Sequence, residues 1–170
     1  MIHSVWRSHC EQYTVRLTQP VFDQMLQLCH DHFPNEIGTS LVGSYSDDGY
    51  TATITGLAPC TTDSEQTPVS FVRGVLGLDG FFRRVFRRFG GRRHYVGEWH
   101  SHPNGSPAPS RTDDNNQIQL CRDPTNGCSE AILVIVGFKP HENSLSAWVY
   151  SAENGKQQLT LVTEPNSYAR

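Results

Sequence analysis

With 170 residues, the chain has the length of one compact domain, typically about 100–200 residues, and a single domain over 1–170 is expected. Hydrophobic residues are 36% and charged residues 18% of the chain, with a formal net charge of -3. That balance supports a core and excludes the low hydrophobicity and high charge of disordered chains. The longest apolar run, residues 131–138, is far below the roughly 20 residues of a membrane-spanning helix. The start, MIHSVWRSHC, lacks an apolar stretch behind basic residues, so no secretory leader and no membrane partner are expected, and the cytoplasm is the expected compartment. Five cysteines (Cys10, Cys29, Cys60, Cys121, Cys128) are odd in number and include no C-x-x-C pair. Neither a disulfide framework nor a thiolate zinc site is expected, and Cys121 and Cys128 are not at a standard ligand spacing.

Polar and β-favouring residues alternate over 13–17, predicting a short first strand. Thr18 is placed to cap a helix over 20–32: Pro20 suits its first turn, Val21, Met25, Leu26 and Cys29 recur at helical spacing, and Pro34 stops it. Residues 39–46 and 50–57 flank Ser46-Asp47-Asp48-Gly49 and predict an antiparallel hairpin. Residues 59–68 are a Thr-, Pro-, Asp- and Ser-rich loop before a short strand at 69–73. Asp79 is placed to cap a helix over 80–90, whose Phe82, Val85, Phe86 and Phe89 can share an apolar side. Arg83, Arg84, Arg87 and Arg88 lie elsewhere on that helix, followed by Arg92 and Arg93. These arginines are either a solvated face or a docking patch for an acidic partner protein. Nucleic acid is disfavoured by the acidic chain and the lack of interleaved stacking aromatics.

A strand is predicted over 95–102, then a proline- and glycine-broken loop over 103–109. Ser110 or Thr112 is placed to cap a polar helix ending near Cys121. Residues 131–138 read as a buried central strand, and 145–151 with 157–163 as a hairpin around Asn154-Gly155. The elements together make a mixed α/β (α+β) chain.

The chemistry is carried by His100-Ser101-His102. On a strand, residues i and i+2 share a face, so both imidazoles can meet one metal ion. Ser110 and Asp113 follow at the start of the polar helix. Two imidazoles, one carboxylate and an open fourth position suit a catalytic zinc rather than a closed structural one, which points to hydrolysis. H-x-H-x7-S-x2-D arises by chance in only about 2 of 1,000 chains of this composition, so the pattern is a signal. Spacing alone also sets Glu98 on the His100 face, where it competes for an acid–base role, orients a histidine from behind, or is an ordinary strand residue. Asp114 is expected to sit in the favourable field of a helix N-terminus, and Trp99, on the opposite strand face, in the core.

Gly97-Glu98-Trp99-His100-Ser101-His102-Pro103, with Ser110 and Asp113, resembles the zinc-binding signature of the JAMM/MPN+ (JAB) metallopeptidases. Upstream, Glu36-Ile37-Gly38-Thr39-Ser40-Leu41-Val42-Gly43 is similar to the family's glutamate segment, and the resemblance runs in order over about residues 13–165. It implies the JAMM/MPN, cytidine-deaminase-like fold: a curled mixed β-sheet with helices on both sides. It implies one Zn2+ per chain on His100, His102 and Asp113, with Glu36 moving the proton of the attacking water and Ser110 donating to the oxyanion. At Glu98 many family members carry an aromatic residue.

The resemblance also implies a substrate class. Family members with the whole motif cleave after the C-terminal glycine of a ubiquitin-like protein or its conjugate. The wording here resembles the bacterial branch, whose members accompany ubiquitin-activating-like and conjugating-like enzymes, including those of antiphage systems. Trimming of sulfur-carrier tails is a second enzymatic reading. A non-catalytic MPN scaffold is the reading of another class, and such relatives typically lose the metal ligands. Strand addition of an extended tail is expected near the zinc, with the loop 59–70 and Arg83, Arg84, Arg87 and Arg88 as candidate contacts for the folded body.

Overall fold

The computed structural model describes residues 1–123 and 129–162; Cys128 and the last residue of the expected strand at 157–163 lie outside them. Eight strands form a closed mixed barrel in the order β1 (Ile2–Ser8), β10 (Gly155–Leu161), β9 (Glu142–Ser151), β8 (Glu130–Lys139), β7 (His94–Pro103), β3 (Gly38–Tyr45), β4 (Thr51–Leu57) and β2 (Thr14–Thr18). The pairs β2–β4 and β7–β8 are parallel, and the rest of the ring is antiparallel. Strands β5 (Glu65–Thr67) and β6 (Ser70–Val72) form a separate hairpin. The helices are α1 (Gln19–His32), α2 (Leu78–Arg88) and α3 (Arg111–Arg122). None is long and apolar enough to cross a membrane.

Alternation along β8 explains the layering. Ile132, Val134 and Val136 join a core with Val21, Phe22, Met25 and Cys29 of α1, while Ala131, Leu133 and Ile135 pack with Trp148, Tyr150 and Cys121 of α3. A strand buried on both faces reads as an uninterrupted apolar run, as this one does. Helices therefore cover both sides of the sheet, as expected. On β7, Trp99 belongs to the α1 core, so Glu98, His100 and His102 project to the other face, toward α3.

Two details differ from the sequence reading for identifiable reasons. Strand β1 goes unannounced because its buried positions include Ser4 and Ser8 beside Val5 and Trp6, which breaks the apolar alternation. Helix α2 is capped by Gly77, with φ +80, rather than by Asp79. Asp79 lies inside the first turn and pairs with Arg83 at 3.0 Å. The expected apolar side of α2 is only lightly covered: Leu78 is its buried residue, Phe82 meets Tyr95 edge-on, and Phe86 is 53% exposed. Gly97 has φ +148, and a Cβ there would lie 2.1 Å from the Ile132 carbonyl oxygen. Only glycine fits that close approach beside β8.

Candidate metal centre

His100 and His102 project from one face of β7, and Asp113 meets them from the first turn of α3. Their ligand atoms lie within 4.8 Å of one another. The His100 and His102 Nε2 atoms are 3.0 Å apart, Asp113 Oδ1 is 3.4 Å from His100 Nε2, and Asp113 Oδ2 is 3.7 Å from His102 Nε2. Ligands about 2.0–2.1 Å from a tetrahedral zinc stand roughly 3.3–3.4 Å apart, so the observed edges fit such an ion. Tautomer supports this: His102 Nδ1–H donates to the Ser106 carbonyl at 2.9 Å, which leaves Nε2 with its lone pair toward the cluster in the neutral ring.

The loop and helix that carry Asp113 are held by side chains. The Ser110 backbone N–H donates to Asp113 Oδ2 at 2.6 Å, and the Asp113 N–H donates to Ser110 Oγ at 3.2 Å. This reciprocal capping box selects Ser110 over Thr112 as the cap. Ser110 Oγ accepts in that bond, so its own O–H remains a donor. Burial opposes ionisation of Asp113, but hydrogen bonds from the two histidines and Ser110 outweigh it, and the carboxyl is held well below the usual carboxylate range. For His102, burial alone would lower the pKa; Asp113, the Ser106 carbonyl and Glu36 reverse the balance and raise it.

Glu36 arrives on the segment leading into β3. Gly38 pairs with His100, and a Cβ on Gly38 would lie 2.3 Å from the Trp99 carbonyl oxygen, so its bareness permits the close approach. Ser101 N–H donates to the Ile37 carbonyl at 2.8 Å, and Ile37 N–H donates to Ser101 Oγ at 3.0 Å. Glu36 directly precedes Ile37, its N–H donates to the Thr67 carbonyl at 2.8 Å, and its carboxyl lies within electrostatic reach of His100, His102 and Asp113. Glu36 is buried. Burial raises its carboxyl pKa, against the opposing pull of His100 and His102. All five residues carrying the expected catalytic and ligand roles thus come to one end of β7.

Glu98 does something else. Its carboxylate meets Arg73 Nε at 2.8 Å and accepts from the Tyr95 hydroxyl at 2.8 Å and from Ser40 Oγ at 3.4 Å. None of these partners is a site histidine, so among the readings left open for Glu98 the one in which it orients a histidine does not hold. Burial pushes its pKa up, with Arg73 and the two hydroxyls pulling the other way. Glu98 thereby pins Arg73, just after β6, against β7. Arg73 carries no motif, and a partner 25 positions away leaves no local trace in the sequence.

A brace behind α3 also escapes sequence reading. Ser146, Trp148 and Tyr150 recur at i, i+2 and i+4 on β9. Ser146 Oγ donates to the Pro107 carbonyl and accepts from Trp148 Nε1 at 2.7 Å. The Tyr150 hydroxyl donates to Asp114 Oδ1 at 2.6 Å, and Lys156 Nζ donates to Asp114 Oδ2 at 2.7 Å. Asp114, expected to serve the helix field alone, therefore also bolts the first turn of α3 to the sheet. The alternation of Ser146, Trp148 and Tyr150 was visible, but their targets were not.

Arg83, Arg84, Arg87 and Arg88 are all exposed on α2. Arg83 is paired with Asp79, and Arg88 lies over Phe89 at 5.9 Å. A groove of about 520 Å³ runs beside them, walled by Phe82, Phe86 and Tyr95.

With this geometry in view, the relatives are informative. The family model described as prokaryotic homologs of the JAB domain matches residues 18–150. The chain is 36% identical over 138 residues to a protein of Enterobacter hormaechei subsp. hoffmannii named CD-NTase/cGAS isopeptidase, covering 81% of this chain and 75% of that protein. Two solution structures share the fold. One, from Desulfitobacterium hafniense, has a TM-score of 0.59 at 21% identity over 84% of this chain and 87% of its own. The other, from Salinibacter ruber, has a TM-score of 0.51 at 19% identity over 91% and 94%. The extent of the family match, together with the close relative, establishes that the chain belongs to the prokaryotic JAB domain family.

Proposed function

We propose that the chain is a zinc-dependent isopeptidase that releases a protein joined through its C-terminus to an amine of a target, with a CD-NTase as the attached protein. The observation that carries this reading is the convergence of His100, His102 and Asp113 with a buried Glu36 and the Ser110 hydroxyl. The name of the Enterobacter relative supports the choice of attached protein. A ubiquitin-like protein is the same substrate chemistry, since both present an extended C-terminal tail. Activating-like and conjugating-like enzymes would supply such conjugates. A scaffold role gains nothing from three convergent donors, and no feature favours sulfur-carrier tails.

His100, His102 and Asp113 would hold the zinc, which supplies Lewis acidity and lowers the pKa of water toward neutrality. Glu36 takes a proton from the attacking water and returns it to the leaving amine as the C–N bond breaks, so water adds across the amide. Burial favours the protonated form of Glu36, which suits the second half of that cycle. Ser110 donates to the scissile carbonyl oxygen as charge builds there. The exposed arginines of α2 steer the acidic surface of the conjugate or its partner enzyme.

Three outcomes follow. Glu36→Gln keeps zinc content at the wild-type level and lowers kcat on a CD-NTase conjugate by about 10²–10⁴-fold, measured by metal analysis and gel-based cleavage; near-wild-type turnover would contradict its role. Tyr150→Phe removes one hold on Asp114 and weakens zinc affinity about tenfold, read by chelator competition, where an unchanged affinity would show that the brace does not serve the site. Arg84→Glu with Arg88→Glu lowers kcat/KM about tenfold at low ionic strength and less at high salt. An equal kcat/KM at both salt levels would return these arginines to a solvated face.

A further inference from the structure

Beside the metal centre lies a cavity of about 220 Å³, lined by Phe71, Arg73, Glu98, Gln117 and Leu120, with His100 and Asp113 also on its wall. One polar side-chain atom on its wall is left without a partner among the described residues. Gln117 is buried, at 7% exposure, and its Oε1 has no hydrogen-bond partner among the described residues. A buried carbonyl oxygen left unpaired lowers stability, and natural folds seldom retain one without use. Arg73 has the complementary surplus. Of its five N–H groups, one is spent on Glu98 and one on the Gly74 carbonyl at 3.1 Å. The pair with Glu98 holds the guanidinium in place at the cavity.

An acceptor on α3 and a donor next to β6 match one ligand chemistry, an extended peptide unit that offers an N–H and a C=O. Resting on the isopeptidase reading, we propose that Gln117 and Arg73 bind the peptide backbone of the acyl-side tail, Gln117 accepting an N–H and Arg73 donating to a C=O, and so position the scissile carbonyl at the metal centre. The acyl side is the one that fits. A lysine side chain reaching from the amine side is a methylene stem with no peptide unit next to the scissile bond, whereas the tail presents one at every residue. Glu98 then acts through Arg73, which accounts for a carboxylate buried on the ligand face of β7 without touching a histidine. Backbone recognition also places selectivity in the extended form of the tail, since every peptide unit offers the same groups.

The test separates tail binding from turnover. A fluorescent decapeptide with the C-terminal sequence of the CD-NTase from the same genome is titrated into zinc-loaded Glu36→Gln protein and into the same protein carrying Gln117→Leu. Analogues in which one amide at a time is replaced by an ester remove single N–H groups. The expected result is about a tenfold loss of affinity with Gln117→Leu, one lost hydrogen bond. One ester position should weaken binding to the parent protein about tenfold yet add nothing in Gln117→Leu. The thermal midpoint of Gln117→Leu should be equal or higher, because the substitution removes an unpaired buried acceptor. Absence of peptide binding, equal affinity in both proteins, or additive losses at every ester position would overturn the inference. Failure of the wild type to cleave a conjugate while this binding pattern holds would instead overturn the isopeptidase reading.

Discussion

The structure turns on one junction, where the carboxylate of Asp113 at the N-terminus of α3 is set against two imidazoles on β7. Asp113 serves both sides of it. One oxygen closes the capping box with the Ser110 N–H, and the same carboxylate faces His100 and His102 at 3.4 and 3.7 Å. Hydrogen bonds from His100, His102 and Ser110 keep the carboxylate ionised in a place where burial would otherwise protonate it, and the start of a helix likewise favours negative charge. Local helix chemistry and ligand chemistry thus demand the same residue at the same position.

That junction sets requirements on everything around it. Imidazoles two residues apart must share a face, so β7 must be regular through 100–102, and its parallel pairing with β8 and antiparallel pairing with β3 keep it so. The β8 core divides cleanly, one face to α1 and one to α3, which leaves the ligand face of β7 looking toward the helix that supplies the third donor. The loop before α3 and its first turn are fastened by Ser146, Tyr150 and Lys156. Ligand geometry held by such surrounding contacts needs little rearrangement when an ion binds. On the other flank, Glu98 and Arg73 tie the residue after β6 to the same strand.

How much of this was legible in the sequence depended on whether the interaction was local. His100 and His102 share a face by strand geometry, and Ser110 with Asp113 form a cap by helix geometry, so both halves could be read from spacing. The buried run at 131–138 announced a central strand for the same reason. Glu36 could be placed only through resemblance, because its approach to His102 follows from a strand pairing that joins residues more than sixty positions apart. Glu98 stays open among several roles because spacing gives a side chain its face but not its partner, and Arg73, at the end of the short strand expected over 69–73, carries no motif. Strand β1 was missed where serines occupy inward positions. The apolar side of α2 was real as a pattern, yet the fold leaves Phe86 exposed, because packing, not periodicity, decides what is covered.

Everything proposed for this chain rests on His100, His102 and Asp113, three donors on two elements, forming one metal site of mixed imidazole and carboxylate character. X-ray absorption at the zinc edge of the metal-loaded protein tests it most directly. The expected result is a single zinc per chain with about four nitrogen and oxygen neighbours near 2.0–2.1 Å and the multiple-scattering signature of two imidazoles. A sulfur shell near 2.3 Å, or a spectrum without imidazole scattering, would contradict it.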